Sequence, residues 1–169
     1  MLQPPPMSAS PRIDAAEPPT AAGNIPAGMK KITFMGFMAL TGPLWGRLDE
    51  ADGLPVMGFR VEDRHCNPMQ VCHGGMLMTF ADMLLGFTVG VAEGGRKFMP
   101  TINLAGDYVG PAPLGSWVEG KGRLIRQTRN LGFAESLITA DGVPCLRASG
   151  IMKIPAKDSR EGDILSLFR

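Results

Sequence analysis

Five residues in one stretch could do chemistry together: Asn67, His73, Gly74, Gly75 and Asp82. Asp82 is the only charged side chain between Gly74 and Ala92, in a run otherwise built from apolar and small residues. A carboxylate in such surroundings either carries a desolvation penalty or sits where its charge is used. The two glycines stand where a helix would begin. The first amides of a helix have no acceptor inside it, the macrodipole adds partial positive charge, and glycine lets a ligand approach the backbone. That combination suits a carbonyl oxygen that gains negative charge during acyl transfer, with Asn67 able to add a side-chain N–H. Spacing then sets a condition. Asp82 lies eight residues after Gly74, about 12 Å along a helix axis. One copy of the chain cannot easily bring both to a single reacting centre, whereas two copies packed antiparallel can.

Each group also has a plainer role. Asp82 could be a buried carboxylate that accepts hydrogen bonds, His73 a cap for the turn, Gly74-Gly75 a tight turn, and Asn67-Pro68 an ordinary turn dipeptide. His65, Cys66, Cys72 and His73 supply four donor types that zinc accepts. They occur as adjacent pairs with no second knuckle, so no metal is expected. Cys72 and His73, being sequence neighbours, do not face each other as a nucleophile and its base would.

The elements that must position these residues follow from pattern. Ala27 to Leu40 reads as a helix entering the domain, stopped by Gly42-Pro43. Leu44 to Asp49 and Val56 to Glu62 read as two strands around an Asp52-Gly53 turn. An irregular connection runs from Asp63 to His73, and one long helix from Gly74 to Val91. Its length and apolarity approach those of a membrane span, but the central Asp, two threonines and four glycines favour a buried core helix. Four strands follow, Met99 to Val109, Ser116 to Gln127, Gly132 to Ala140 and Val143 to Ile154. They are read as a meander whose last turn, Asp141-Gly142, is a two-residue hairpin. Helix and strands are segregated, which gives an α+β domain with one antiparallel sheet covering one helix. Such a sheet has an open edge and a thin core, so a dimer is the smallest unit expected and a dimer of dimers the full assembly.

Composition bounds the rest. The chain has 169 residues and a net charge of +1 with both signs interspersed, which gives no case for nucleic acid or an anionic membrane surface. Residues 1–28, rich in proline, read as an extended arm, residues 29–154 as the domain, and residues 155–169 as a C-terminal tail. The Met29-Lys30-Lys31 start of an apolar run is internal, broken by Gly36 and followed by a poor cleavage site, so it does not read as a secretory signal. Three cysteines, an odd number, fit a reducing, cytoplasmic setting.

The pattern Asn-x5-His-Gly-Gly-x6-Asp, here Asn67, His73, Gly74, Gly75 and Asp82, resembles the active-site signature of hotdog-fold acyl-CoA thioesterases, nearest to the PaaI-like, phenylacetyl-CoA type. The resemblance continues through Asp107-Tyr108-Val109-Gly110-Pro111-Ala112 and covers roughly residues 40–154. It implies a hotdog fold, acyl-CoA substrates, and neither cofactor nor metal. It implies further that the Gly74 amide polarises the thioester carbonyl with help from Asn67 and that His73 orients the turn or contacts the thioester. Asp82 of the partner subunit would act as general base or nucleophile, and Thr101 would help to hold the water. Gly75 would lie against substrate, and Arg126, Arg129 and Asn130 near the CoA nucleotide. One departure stands out: Gln70 occupies a position, three before the histidine, where the family often has glycine. A hydratase or dehydratase on the same fold uses a different local sequence, and a non-catalytic acyl binder would not need Asp82.

Overall fold

The computed structural model describes residues 25–96, 98–156 and 163–168. The proline-rich arm therefore lies outside the described residues apart from its last few, 25–28.

The long helix forms as the sequence predicts, over Gly74–Ala92 (α2). It holds no proline. Its start is capped by His73, whose Nδ1 accepts the Gly75 N–H at 2.9 Å, which satisfies one of the orphan amides of the first turn. Phe80, Ala81, Leu84, Leu85 and Val89 lose all solvent exposure against the sheet. Burying such side chains contributes about 1.5–3 kcal/mol each for the large ones. Among the described residues α2 alone is long and apolar enough to cross a bilayer, and those apolar side chains are packed into the protein core.

The sheet has eight strands: β1 (Lys30–Ile32), β2 (Leu44–Leu48), β3 (Pro55–Arg60), β4 (Thr101–Tyr108), β5 (Trp117–Lys121), β6 (Arg123–Gln127), β7 (Leu131–Ala140) and β8 (Val143–Lys153). Every pairing is antiparallel, in the order β1-β2-β3-β5-β7-β8-β4, with β6 also on β7. In β7, Gly132, Ala134, Ser136, Ile138 and Ala140 are buried while the residues between them are not, the period of two that a half-covered strand requires.

Four expectations are corrected. The helix read over Ala27 to Leu40 is only Phe37–Thr41 (α1). Gly36 holds a positive φ of 63°, a break in any helix, and Lys30–Ile32 instead finds a ladder partner in β2. The strand read over Ser116 to Gln127 divides at Gly122, where a Cβ would meet the Thr88 Oγ1 at 1.7 Å. The chain bends over the helix there because nothing but hydrogen occupies that spot. The last four strands are not a meander. β4 pairs with β8 at the edge, while β5 inserts between β3 and β7. Gly110-Pro111-Ala112-Pro113, which cannot donate a full ladder, carries the chain past the start of α2, where the Cys72 N–H donates to the Ala112 carbonyl at 2.8 Å. Finally, the C-terminal tail includes a 3-10 turn over Ile164–Phe168 that buries Ile164 and Phe168. The Phe168 ring meets Phe87 edge-on at 5.8 Å, and apolar burial of this kind is enough to hold so short a segment.

Candidate active site at the open face of the central helix

One face of α2 is left uncovered. Gly75, Met78, Thr79, Asp82 and Gly86 are its partly or fully exposed residues between Gly75 and Gly90, and the residues between them are buried. Their spacing of three and four residues puts them on one stripe. β4 runs antiparallel beside that stripe. The Thr101 Oγ1 donates to the Asp82 Oδ1 at 2.6 Å. Gly106 leaves room for Met78, whose sulfur would lie 2.6 Å from a Cβ there. The Tyr108 hydroxyl donates to the Gly74 carbonyl at 2.9 Å. A register shift lies between Thr101 and Asn103, and a bulge at such a place re-aims the neighbouring side chain.

The turn before α2 is built from short-range bonds. Asn67 accepts the Met69 N–H on its side-chain oxygen at 2.9 Å, which leaves the amide nitrogen of Asn67 as the free donor. The Gln70 N–H donates to the Asn67 carbonyl at 3.0 Å, and the Asn67 N–H to the Val71 carbonyl at 2.9 Å. Gln70 sits in the left-handed region with φ 58°. The position thus keeps a conformation natural to glycine although a glutamine occupies it, at a cost of about 1–2 kcal/mol. The Gly74 N–H has no acceptor among the described residues. A Cβ at Gly74 would fall 3.0 Å from the Tyr108 ring, so glycine lets the tyrosine lie close against the helix start.

The sequence-predicted residues fall into three groups. Asp82 and Thr101 are in direct contact within one chain. Asn67, His73, Gly74 and Gly75 form the turn and helix start, about 12 Å along the axis from Asp82. Arg126, Arg129 and Asn130 are exposed and lie towards the opposite end of α2, where Gln127 of β6 donates to Glu93; one protomer does not bring them to Gly74. Among the described residues no three His, Cys, Asp or Glu side chains converge on a common point for a metal, although Cys66 and Cys72 face each other across a bridge. Burial, reinforced by the neighbouring thiols, pushes Cys72 up to about 12, so it is a protonated core thiol.

Two participants carried no signal of their own in the sequence. Tyr108 stood only as the family's aromatic, and its reach to Gly74 depends on the β4–β8 pairing. His65 stood only as a metal candidate. It is 4% exposed, and its Nδ1 accepts the Glu62 N–H at 3.0 Å. Burial first, and then the Arg64 guanidinium, hold this imidazole below its ordinary value, against the opposing pull of Glu62 and the Thr41 and Arg60 carbonyls. His65 and His73 both line a cleft of about 450 Å³ between α1 and the start of α2. A larger, polar depression of about 620 Å³ beside Arg47, Asp49 and Phe168 holds none of the candidate residues.

Residues 69–145, which span the turn, α2 and the strands through β8's start, match the thioesterase superfamily. The architecture, one antiparallel sheet packed on one long helix, is the hotdog fold, and over that stretch the chain resembles the thioesterases. It is 29% identical over 133 residues to a Pseudomonas aeruginosa protein assigned by name to the esterases, covering 78% of this chain and 98% of that one. Its fold is shared with a variant of the phenylacetic acid degradation protein PaaI from Thermus thermophilus (TM-score 0.61, 22% identity, 70% of this chain and 98% of that one). It is shared also with a hypothetical thioesterase from Streptococcus pneumoniae solved with coenzyme A (TM-score 0.56, 24% identity, 62% and 80%). The thioesterase match and the esterase relative support a hydrolase.

Proposed function

We propose that this protein hydrolyses acyl-CoA thioesters to a free acid and CoA, without metal or cofactor, at a site shared by two copies of the chain. The observation that carries the reading is the open stripe of α2. There Asp82, already held by Thr101 at 2.6 Å, stands on the same uncovered face as the helix start with its unpaired Gly74 N–H. A binary complex of coenzyme A with a protein of this fold supports the CoA part of the substrate.

In the proposed reaction the thioester carbonyl oxygen accepts from the Gly74 N–H, and the Asn67 amide is the second donor. Both are fixed before the substrate arrives and strengthen as the oxygen gains charge. Asp82 of the partner subunit takes a proton from water as the water oxygen attacks the carbonyl carbon. The tetrahedral intermediate then collapses, the C–S bond breaks, and the CoA thiolate leaves and is protonated. Direct attack by the same carboxylate is the other use of that group. Thr101 fixes the carboxylate, and Arg126, Arg129 and Asn130 are the candidate CoA nucleotide contacts, with Arg suited to phosphate.

The composite site is supported by what a single copy leaves open. β4 is an edge strand with Ile102 and Tyr108 exposed, followed by exposed Val109, an arrangement that a second copy would cover. A dimer is then the minimal unit, with a dimer of dimers as the full assembly. The free Cys66, Cys72 and Cys145 support a reducing, cytoplasmic setting.

Thiol release from a panel of acyl-CoAs tests the chemistry. Asp82→Asn is expected to lose about 10²–10⁴-fold in kcat. Absence of release by the wild type, or equal release by the variant, would sink the hydrolase reading. Sedimentation tests the assembly, since a stable monomer at micromolar concentration is incompatible with a shared site.

A further inference from the structure

Gly74 carries the N–H proposed for the carbonyl oxygen, and glycine is the residue least able to hold its own backbone in one direction. Something outside it must remove that freedom. Two side chains close on the Gly74–Gly75 peptide from its two ends. The Tyr108 hydroxyl donates to the carbonyl of this peptide at 2.9 Å. The N–H of the same peptide, that of Gly75, donates to the His73 Nδ1 at 2.9 Å. Chemistry fixes the direction of both bonds, because a backbone carbonyl only accepts and a backbone N–H only donates. One chain results, from the Tyr108 O–H through the peptide to the His73 ring, and the proton of the neutral ring is left on Nε2. Bonds linked in this way polarise one another.

The double glycine makes room for both contacts. A Cβ at Gly74 would fall 3.0 Å from the Tyr108 ring and hydroxyl, and a Cβ at Gly75 would fall 3.0 Å from the His73 Nδ1. Alanine at either place would make its neighbour draw back by a few tenths of an ångström. Tyr108 is 55% exposed, so burial alone does not set its direction. Its backbone is held instead by the sheet. Tyr108 pairs with Leu146 of β8, and the Val109 N–H donates to the Cys145 carbonyl at 3.0 Å. A side chain anchored on β4 thus reaches across to the first peptide of α2.

We propose that Tyr108 is a positioning residue for thioester hydrolysis. It acts through the Gly74–Gly75 peptide, restraining the direction of the Gly74 N–H and the ring of His73. The proposal rests on the acyl-CoA reading above and adds the group that keeps the oxyanion donor aimed. A donor aimed in advance costs no reorganisation when charge develops on the oxygen. Loss of the restraint is therefore felt in the transition state more than in substrate binding.

The test is Tyr108→Phe, which keeps the ring beside Gly74 and removes the O–H. With an acyl-CoA that the wild type hydrolyses, kcat is expected to fall about tenfold, the worth of one hydrogen bond. KM is expected to stay within about twofold. Amide hydrogen exchange supplies a readout that a merely structural tyrosine would not move selectively. The Gly75 N–H is expected to exchange about tenfold faster in the variant, while the amides of Leu84 and Val89, deep in α2, keep their protection. The NMR shifts of the two His73 ring nitrogens give a second readout. They are expected to be well separated in the wild type, as one tautomer requires, and to move towards each other in Tyr108→Phe. His65, whose Nδ1 is held by the Glu62 N–H, serves as the unmoved internal reference. A folded Tyr108→Phe with wild-type kcat, unchanged exchange at Gly75, or protection lost evenly along α2 overturns the proposal. If neither protein hydrolyses any acyl-CoA, the hydrolase reading falls, while exchange and the ring nitrogens still decide whether Tyr108 holds this peptide.

Discussion

The two faces of α2 do different work with the same backbone. The covered face, Met76, Leu77, Phe80, Leu84, Phe87 and Val89, is large, apolar and buried. The open face, Gly75, Met78, Thr79, Asp82 and Gly86, is mostly small or polar and only partly covered. On the covered face a side chain is held by its volume, and on the open face by what it can reach. Asp82 reaches Thr101 and Gly75 reaches His73, and neither contact depends on filling space. A change to one face should therefore appear in stability and a change to the other in rate.

The largest effects test that division directly. Phe80→Ala removes a ring with no exposed surface that packs on Phe59 at 5.2 Å. It should cost about 3–5 kcal/mol in urea or thermal unfolding while the folded fraction keeps its turnover. Asp82→Asn should do the opposite, with the loss of kcat given above and stability within about 0.5 kcal/mol of wild type. Matching losses of stability in both would erase the distinction. Thr101→Val, nearly isosteric, removes the hydroxyl that fixes Asp82. It should lower kcat by about tenfold with little change in melting temperature.

A smaller effect concerns pH. The folded-state value of His65 lies below the ordinary 6.5, so in the window just below 6.5 the unfolded chain binds more protons than the folded one. Stability then falls as pH drops through 6.5, until the folded-state value is passed. The decline in melting temperature between about pH 7 and pH 5.5 should be shallower in His65→Asn than in the wild type. Smallest of all, Gln70→Gly relieves a left-handed glutamine and should add about 0.5–1 kcal/mol of stability, read as a shift in the urea midpoint.

The helix was legible in the sequence because nineteen residues of apolar character without proline leave little alternative. The strand segments were legible from their alternation and the glycines between them. Strand order was not. Nothing local tells β4 to pair with β8 rather than with β5, since antiparallel ladders form at any sequence separation and the choice is made by how the strands wrap α2. The same holds for the site. Asn67, His73, Gly74 and Asp82 could be named from one stretch. The contacts of Thr101 and Tyr108 with α2 become visible only once β4 is laid beside it. His65 could be named only as a metal candidate, because its burial follows from packing that no local pattern shows.

The position of β4 has one more consequence. The strand borders the open face from Asp82 to Gly74, with Thr101 at one end and Tyr108 at the other, and among the described residues it is also an edge strand of the sheet. A second copy pairing there would restrain both contacts at once. Occupancy of the site and association of the subunits would then be linked quantities: whatever factor pairing lends to substrate affinity, substrate returns to pairing. A strand that serves both as edge and as site wall would make activity a function of the protein's own concentration, rising as copies find each other and fading on dilution.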